Sequence, residues 1–258
     1  MSAPGDLASY PSLKGRRVFV TGGGSGIGES IVVAFAEQGA KVGFVDIEVD
    51  ASLALCERIA AAGHEMPVFR ECDIRDVPAL QDVMRSMAEQ MGDFQVLVNN
   101  AGNDQRHKPE EVTVEAWNNM IAINQRPMFF TCQQVIGGMK KNGGGSIINL
   151  GSISWHISGG GYPVYTTAKA AVCGLTRGLA RDLGPHRIRV NTVTPGWVMT
   201  ERQIKLWLNE DGEKLIDASQ CLPGRLQPWH IARMVLFLAA DDSAMCTAQE
   251  FIVDGGWS

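Results

Sequence analysis

Short runs of apolar, β-branched residues alternate along this chain with longer stretches of helical periodicity. The pattern predicts strands over residues 17–21, 41–47, 67–74, 95–99, 146–150, 189–193 and 250–253. Between them it predicts helices over 27–38, 51–62, 77–91, 114–139, 164–183 and 229–240. Gly39, Gly63 and Gly92 stand where the first three helices should stop. Strands that are apolar throughout, each followed by a helix, imply a parallel sheet covered on both faces. Right-handed crossovers then give an α/β, doubly wound sandwich with a seven-stranded parallel sheet. No linker or internal repeat interrupts the alternation, so residues 1–258 read as one domain. Only 199–222 breaks the rhythm. It is helical in character, and its late position suits a segment that covers a substrate.

Composition narrows the picture. Hydrophobic residues make up 45% and charged residues 20%, an ordinary globular balance, and the net charge of −5 leaves no basic footprint for nucleic acid. No apolar run reaches membrane-spanning length. Residues 1–10 lack the basic and apolar regions of a secretion signal, so a cytoplasmic location is expected. The six cysteines form no CxxC pair and the five histidines are scattered, so neither a disulfide framework nor a metal site is expected.

Candidate chemistry begins between the first strand and first helix, at Thr21-Gly22-Gly23-Gly24-Ser25-Gly26-Ile27-Gly28. Glycines there allow a tight turn, a close approach to pyrophosphate and tight helix–strand packing. The helix N-terminus adds free N–H groups and a partial positive charge. Asp46, followed by Ile47, ends the second strand, where a carboxylate would accept from adenosine ribose hydroxyls and repel a 2′-phosphate. This favours NAD and disfavours NADP. Asp73, with Ile74, is placed to meet the adenine amino group, and Asn99 to Gly102 close the fourth strand with small residues.

Tyr165 and Lys169 are four apart at the start of a predicted helix and share a face. A nearby ammonium stabilises a phenolate, which suits tyrosine to base chemistry. Ser152 follows the fifth strand and Asn124 lies in the long helix after the fourth. With this set assembled, the sequence resembles the short-chain dehydrogenase/reductase family over essentially its whole length. The matching positions are Thr21 to Gly28, Asp73, Asn99 to Gly102, Asn124, Ser152, Tyr165, Lys169 and Pro195-Gly196. The resemblance implies a Rossmann-type sheet of order 3-2-1-4-5-6-7 and a homotetramer. It implies that Tyr165 is the base, that Ser152 orients the substrate hydroxyl, and that Lys169 binds the nicotinamide ribose. Asn124 would anchor a water in a proton relay. Gly22, Ser25, Gly26, Ile27, Gly28, Asn100, Ala101 and Gly102 would border the dinucleotide, with Pro195, Gly196, Val198 and Thr200 along the nicotinamide.

The segments after the fourth, fifth and sixth strands should line the substrate pocket. They are rich in polar and aromatic residues. Asn103, Ser154, Trp155, Trp197 and Gln203 are the candidate substrate contacts. Such a lining suits a small polyhydroxylated ligand. Tyr10 to Gly15, Asn99 to Asn103, Arg106 to Lys108, Gly151 to His156, and Gln220 to Leu222 with Gly224-Arg225 are similar to bacterial aldose 1-dehydrogenases of the D-xylose and L-arabinose type. That likeness implies oxidation of the C1 hydroxyl of a cyclic pentose or hexose to a lactone. Ser158 to Gly161, unusually bare of side chains, leaves the sugar open. Two rival functions are a 3-oxoacyl thioester reductase, which Asp46 argues against, and a catalytically silent dinucleotide sensor, which the intact Asn124, Ser152, Tyr165 and Lys169 set argues against. Trp257 is a residue that could reach a neighbouring subunit's pocket.

Overall fold

The computed structural model describes residues 8–258, so the signal-free reading of the N-terminus lies, for residues 1–7, outside the described residues. Seven strands form one parallel sheet: β1 (Arg17–Thr21), β2 (Lys41–Asp46), β3 (Val68–Glu71), β4 (Val96–Asn99), β5 (Gly145–Leu150), β6 (Ile188–Pro195) and β7 (Glu250–Val253). Their order is β3-β2-β1-β4-β5-β6-β7, the doubly wound arrangement expected. Among the described residues nine α-helices accompany them: α1 (Gly26–Glu37), α2 (Val49–Ala61), α3 (Val77–Met91), α4 (Val114–Asn124), α5 (Arg126–Lys141), α6 (Pro163–Leu183), α7 (Glu201–Leu206), α8 (Glu210–Ser219) and α9 (Pro228–Ala239).

Strand alternation divides the core. Val18 and Val20 of β1 face a cluster with Ile31, Phe35, Leu55, Ile231 and Val235 from α1, α2 and α9. Phe19 points the other way, onto Leu80, Met84, Val135 and Met139 of α3 and α5. Successive β residues point to opposite faces, and both faces here are covered, which is why these strands read as unbroken apolar runs.

Two expectations are corrected, and a third is refined in detail only. The single helix over 114–139 is two helices meeting at Gln125, whose φ of −134° is not helical. Pro127 explains the break, since it has no N–H to donate and crowds the preceding turn. The third strand is shorter than 67–74 because β3 is an edge strand paired only with β2. That pairing ends at Asp46↔Glu71, which leaves Asp73 beyond the sheet. The segment 199–222 is helical, as its sequence suggested, and consists of α7 and α8, capped by the side chains of Thr200 and Asn209.

A buried polar chain ties the middle of the sheet to its helices. Thr131 Oγ1 of α5 donates to Asn99 Oδ1 at 2.6 Å, and Asn99 Nδ2 donates to Asn149 Oδ1 at 2.9 Å. Asn149 Nδ2 donates to Thr176 Oγ1 of α6 at 3.0 Å, and Thr192 Oγ1 of β6 donates to the same oxygen at 2.8 Å. A fully satisfied network of this kind fixes one register among the elements it joins.

Candidate active site

The strands' carboxyl ends open into one cavity of about 2180 Å³. It lies where the strand order reverses, between β1 and β4. The glycine loop forms one wall. A Cβ at Gly28 would lie 1.7 Å from the Gly22 carbonyl oxygen, so only glycine lets α1 start this close to β1. The N–H groups of Ser25, Gly26, Ile27 and Gly28 find no acceptor among the described residues. These free donors at the head of a twelve-residue helix fit a dinucleotide pyrophosphate.

Every residue expected to border the dinucleotide lines this cavity: Gly22, Ser25, Gly26, Ile27, Gly28, Asp46, Ile47, Asp73, Ile74, Asn100, Ala101, Gly102, Tyr165, Lys169, Pro195, Gly196, Val198 and Thr200. Several have work within the chain as well. Asp46 Oδ2 accepts from Gly24 N at 2.8 Å and its Oδ1 from Ile47 N at 2.7 Å, which locks the carboxylate at the strand end. Asn100 Nδ2 donates to the Gly22 carbonyl at 2.8 Å and so braces the glycine loop. The Asp73 carboxylate is engaged by the Arg75 guanidinium at 2.8 Å, which holds it below its ordinary pKa. Arg58, the other cation near this end, pairs with Glu29 at 2.5 Å.

Tyr165 and Lys169 lie in the first turns of α6, which Pro163 begins. Lys169 is 3% exposed and donates from Nζ to the Leu150 carbonyl at 2.8 Å. Burial lowers its pKa to about 8, while Asp104 opposes the shift. Burial pushes the Tyr165 phenol above its ordinary range. The facing Ser152 hydroxyl pulls it down, Asp104 pushes it up, and Arg106 pulls it down. Lys169 Nζ lies 5.8 Å from the Tyr165 ring centroid. Ser152 caps the short 3-10 turn Ile153–Trp155, its Oγ accepting from Ser154 N at 3.2 Å.

Asn124 is wholly buried behind the cavity wall and is not part of its lining. Among the substrate candidates, Asn103, Ser154, Trp197 and Gln203 line the cavity. Trp155 does not. It is 37% exposed and stacks on His156 with centroids 3.7 Å apart, on the outer side of the turn. Trp257 lines the cavity of its own chain and sits 6.5 Å from Trp197.

Other residues at the mouth could not be singled out from sequence. Asp104 Oδ2 accepts from Gln203 Nε2 at 2.8 Å, joining the loop after β4 to α7. The Arg106 guanidinium lies 4.0 Å over the Tyr162 ring and 5.0 Å from Trp207, and Tyr162 meets Tyr165 edge-on at 5.8 Å. The polar run 103–108 was visible in the sequence, but which of its side chains turn inward depends on tertiary contacts. Within the bare segment 158–161, a Cβ at Gly159 would come within 2.4 Å of the Tyr162 hydroxyl and Gly161 has a φ of +84°, while a Cβ at Gly160 would meet open space. Among the described residues no cluster of His, Cys, Asp and Glu could hold a metal ion, and no helix is long and apolar enough to cross a membrane.

Comparison with known proteins agrees with this geometry. A family model described as enoyl-(acyl carrier protein) reductase matches residues 22–258. The chain is 50% identical to a D-xylose 1-dehydrogenase of Caulobacter vibrioides over 97% of its length and 98% of that protein's. It is 46% identical to a probable galactose dehydrogenase of Rhizobium meliloti, over 96% of this chain and 97% of that one. A blue fluorescent protein from a metagenomic library, solved in complex with NADPH, superposes with a TM-score of 0.88 at 34% identity, over 96% of this chain and 99% of that one. With the strand order, the glycine loop and the Ser152, Tyr165 and Lys169 set in place, these matches show that the chain belongs to the short-chain dehydrogenase/reductase family, oxidoreductases that use a nicotinamide dinucleotide.

Proposed function

We propose that this protein oxidises the C1 hydroxyl of a cyclic aldose to the aldonolactone, with NAD as oxidant. The observation that carries the reading is the polar and aromatic mouth directly over Tyr165: Asp104, Arg106 and Gln203 beside Trp197, Trp207 and Tyr162. Carboxylate, guanidinium and amide groups pair with sugar hydroxyls, and aromatic faces cover the apolar faces of a sugar ring. The two sugar dehydrogenases among its relatives support the same class of substrate.

A dinucleotide held along Pro195, Gly196, Val198 and Thr200 would supply the hydride acceptor for C1. The chain's own residues handle the proton. Tyr165 takes it from the C1 hydroxyl while the C1=O bond forms. The Ser152 hydroxyl donates to that same oxygen and holds it against Tyr165. Lys169 supplies positive charge beneath the pair and a donor for the nicotinamide ribose. Asn124 stands behind Lys169 as the inner end of the proton path. Asp46, locked by the Gly24 N–H, would accept from ribose hydroxyls and repel a 2′-phosphate, and the nearby cations Arg58 and Arg75 are already paired. These are the grounds for NAD over NADP.

A panel of pentoses and hexoses, assayed for reduced dinucleotide with NAD and with NADP, tests the proposal. Turnover of at least one aldose with preference for NAD is expected. Preferential reduction of an acyl thioester by NADPH, or no turnover of any aldose, would replace this reading.

A further inference from the structure

Outside the reacting set, one carboxylate stands at the meeting point of the elements that carry it. Glu250 opens β7, and its side chain is only 18% exposed. Its Oε1 accepts from Thr194 Oγ1 at 2.6 Å and lies 2.9 Å from His156 Nε2. The Cys173 thiol, one turn beyond Lys169 on α6, faces the same carboxylate. His156, Thr194 and Cys173 are the polar groups turned toward it from the Ser152 turn, β6 and α6.

Both contacts bear on Ser152. His156 directly follows the 3-10 turn that Ser152 caps, and its N–H donates to the Ile153 carbonyl at 2.8 Å. Gly151 precedes Ser152 and runs close beside Thr194, where a Cβ would lie 2.7 Å from Thr194 Oγ1. The residues flanking Ser152 therefore rest on groups held by one carboxylate. Thr194 also leads into Pro195 and Gly196, on the cofactor side of the cavity.

We propose that Glu250 is a positioning residue for the reaction, acting through Thr194 and His156 to fix the segment 151–156 and so the Ser152 hydroxyl. This rests on Ser152 contacting the reacting hydroxyl, and not on which sugar supplies it. A half-buried carboxylate that accepts a hydroxyl and a ring N–H at once forms charge-assisted bonds, the stronger class of such contacts. A misplacement of about 1 Å in a group touching the reacting atoms can lower turnover on the order of 100-fold.

The first test needs no substrate. In a crystal structure of the Glu250→Ala protein, residues 151–156 should shift relative to the glycine loop and α6, while Ser152 in its original place would overturn the proposal. The second is kinetic. Glu250→Ala should lower kcat by about 10- to 100-fold with little change in KM. In the Ser152→Ala background the same change should cost less than about twofold more, because the effect passes through Ser152. Glu250→Gln, whose amide oxygen can still accept from Thr194, should recover part of the loss. Losses that multiply fully in the double variant would show that Glu250 does not act through Ser152. Should Glu250→Ala fail to fold, His156→Ala frees one end of the segment alone and is held to the same comparison.

Discussion

Asn124 grips the backbone of Asn103 at both polar ends: its Oδ1 accepts from the Asn103 N–H at 2.8 Å, and its Nδ2 donates to the Asn103 carbonyl at 2.9 Å. The same Nδ2 donates to the Met120 carbonyl at 3.1 Å, one turn back in α4. The helix break at Gln125 thus gives Asn124 a second task, holding the loop that presents Asp104 and Arg106. A Cβ on Gly102 would lie 3.0 Å from Asn124 Oδ1 and 3.3 Å from Lys169 Nζ, so the gap beside Gly102 borders both groups. Asn124→Leu strands the Asn103 backbone groups and should cost about 1–3 kcal/mol of stability, read by denaturant unfolding, together with most of the turnover. Gly102→Ala fills the gap and should lower kcat more than it weakens dinucleotide binding. Full activity in Gly102→Ala would show that the gap has no role.

Tyr165→Phe removes one hydroxyl and leaves the ring packing against Tyr162. Dinucleotide affinity, read by fluorescence titration, should stay within about threefold, and kcat should fall by about 100- to 10,000-fold, the span of positioned proton transfer. A mild loss would take the base role from Tyr165.

The charges around Tyr165 set the direction of its pH response. Ser152 lowers the phenol's pKa and Asp104 raises it. The alkaline-rising limb of activity should therefore move to higher pH in Ser152→Ala and to lower pH in Asp104→Asn. Coincident pH–rate profiles in the three proteins would separate Asp104 and Ser152 from the titrating group.

Lys169 carries a separate signature in stability. Folding takes its pKa from an ordinary 10.5 to about 8, chiefly through burial. Between those values the unfolded chain holds a proton that the folded chain does not, so this group's contribution to stability increases as pH rises across the window. Below about pH 8 the buried ammonium carries its full desolvation cost. Compared with Lys169→Met, the unmodified protein should gain in Tm as pH is raised from 8 toward 10. A constant difference in Tm would mean that the ammonium is not desolvated in the folded protein.

Much of this architecture is legible in the sequence because local pattern and tertiary structure agree. Val18, Phe19 and Val20 read as a buried strand because both faces of β1 are covered. Gly22, Gly26 and Gly28 read as a phosphate loop from their spacing, and at Gly28 a Cβ would collide with the Gly22 carbonyl and keep α1 from β1. Pro127 was a readable signal that the apolar periodicity on either side obscured. Trp155 shows the limit of segment-level reading: it belongs to the pocket-lining stretch, yet the turn that buries Ser154 sends the neighbouring ring outward. Tyr162, Asp104 and Arg106 were hidden for the same reason. Their inward placement comes from contacts such as Asp104 with Gln203, ninety-nine residues apart.

Transfer of isotope from C1 of the sugar tests the central claim most directly. With an aldose that the enzyme turns over, labelled with deuterium at C1, one deuterium should appear on the reduced dinucleotide and the product should be the lactone free of label. The transfer should vanish with kcat in Tyr165→Phe. Reduced dinucleotide that carries only hydrogen from this substrate would contradict oxidation at C1, whatever the rate of turnover.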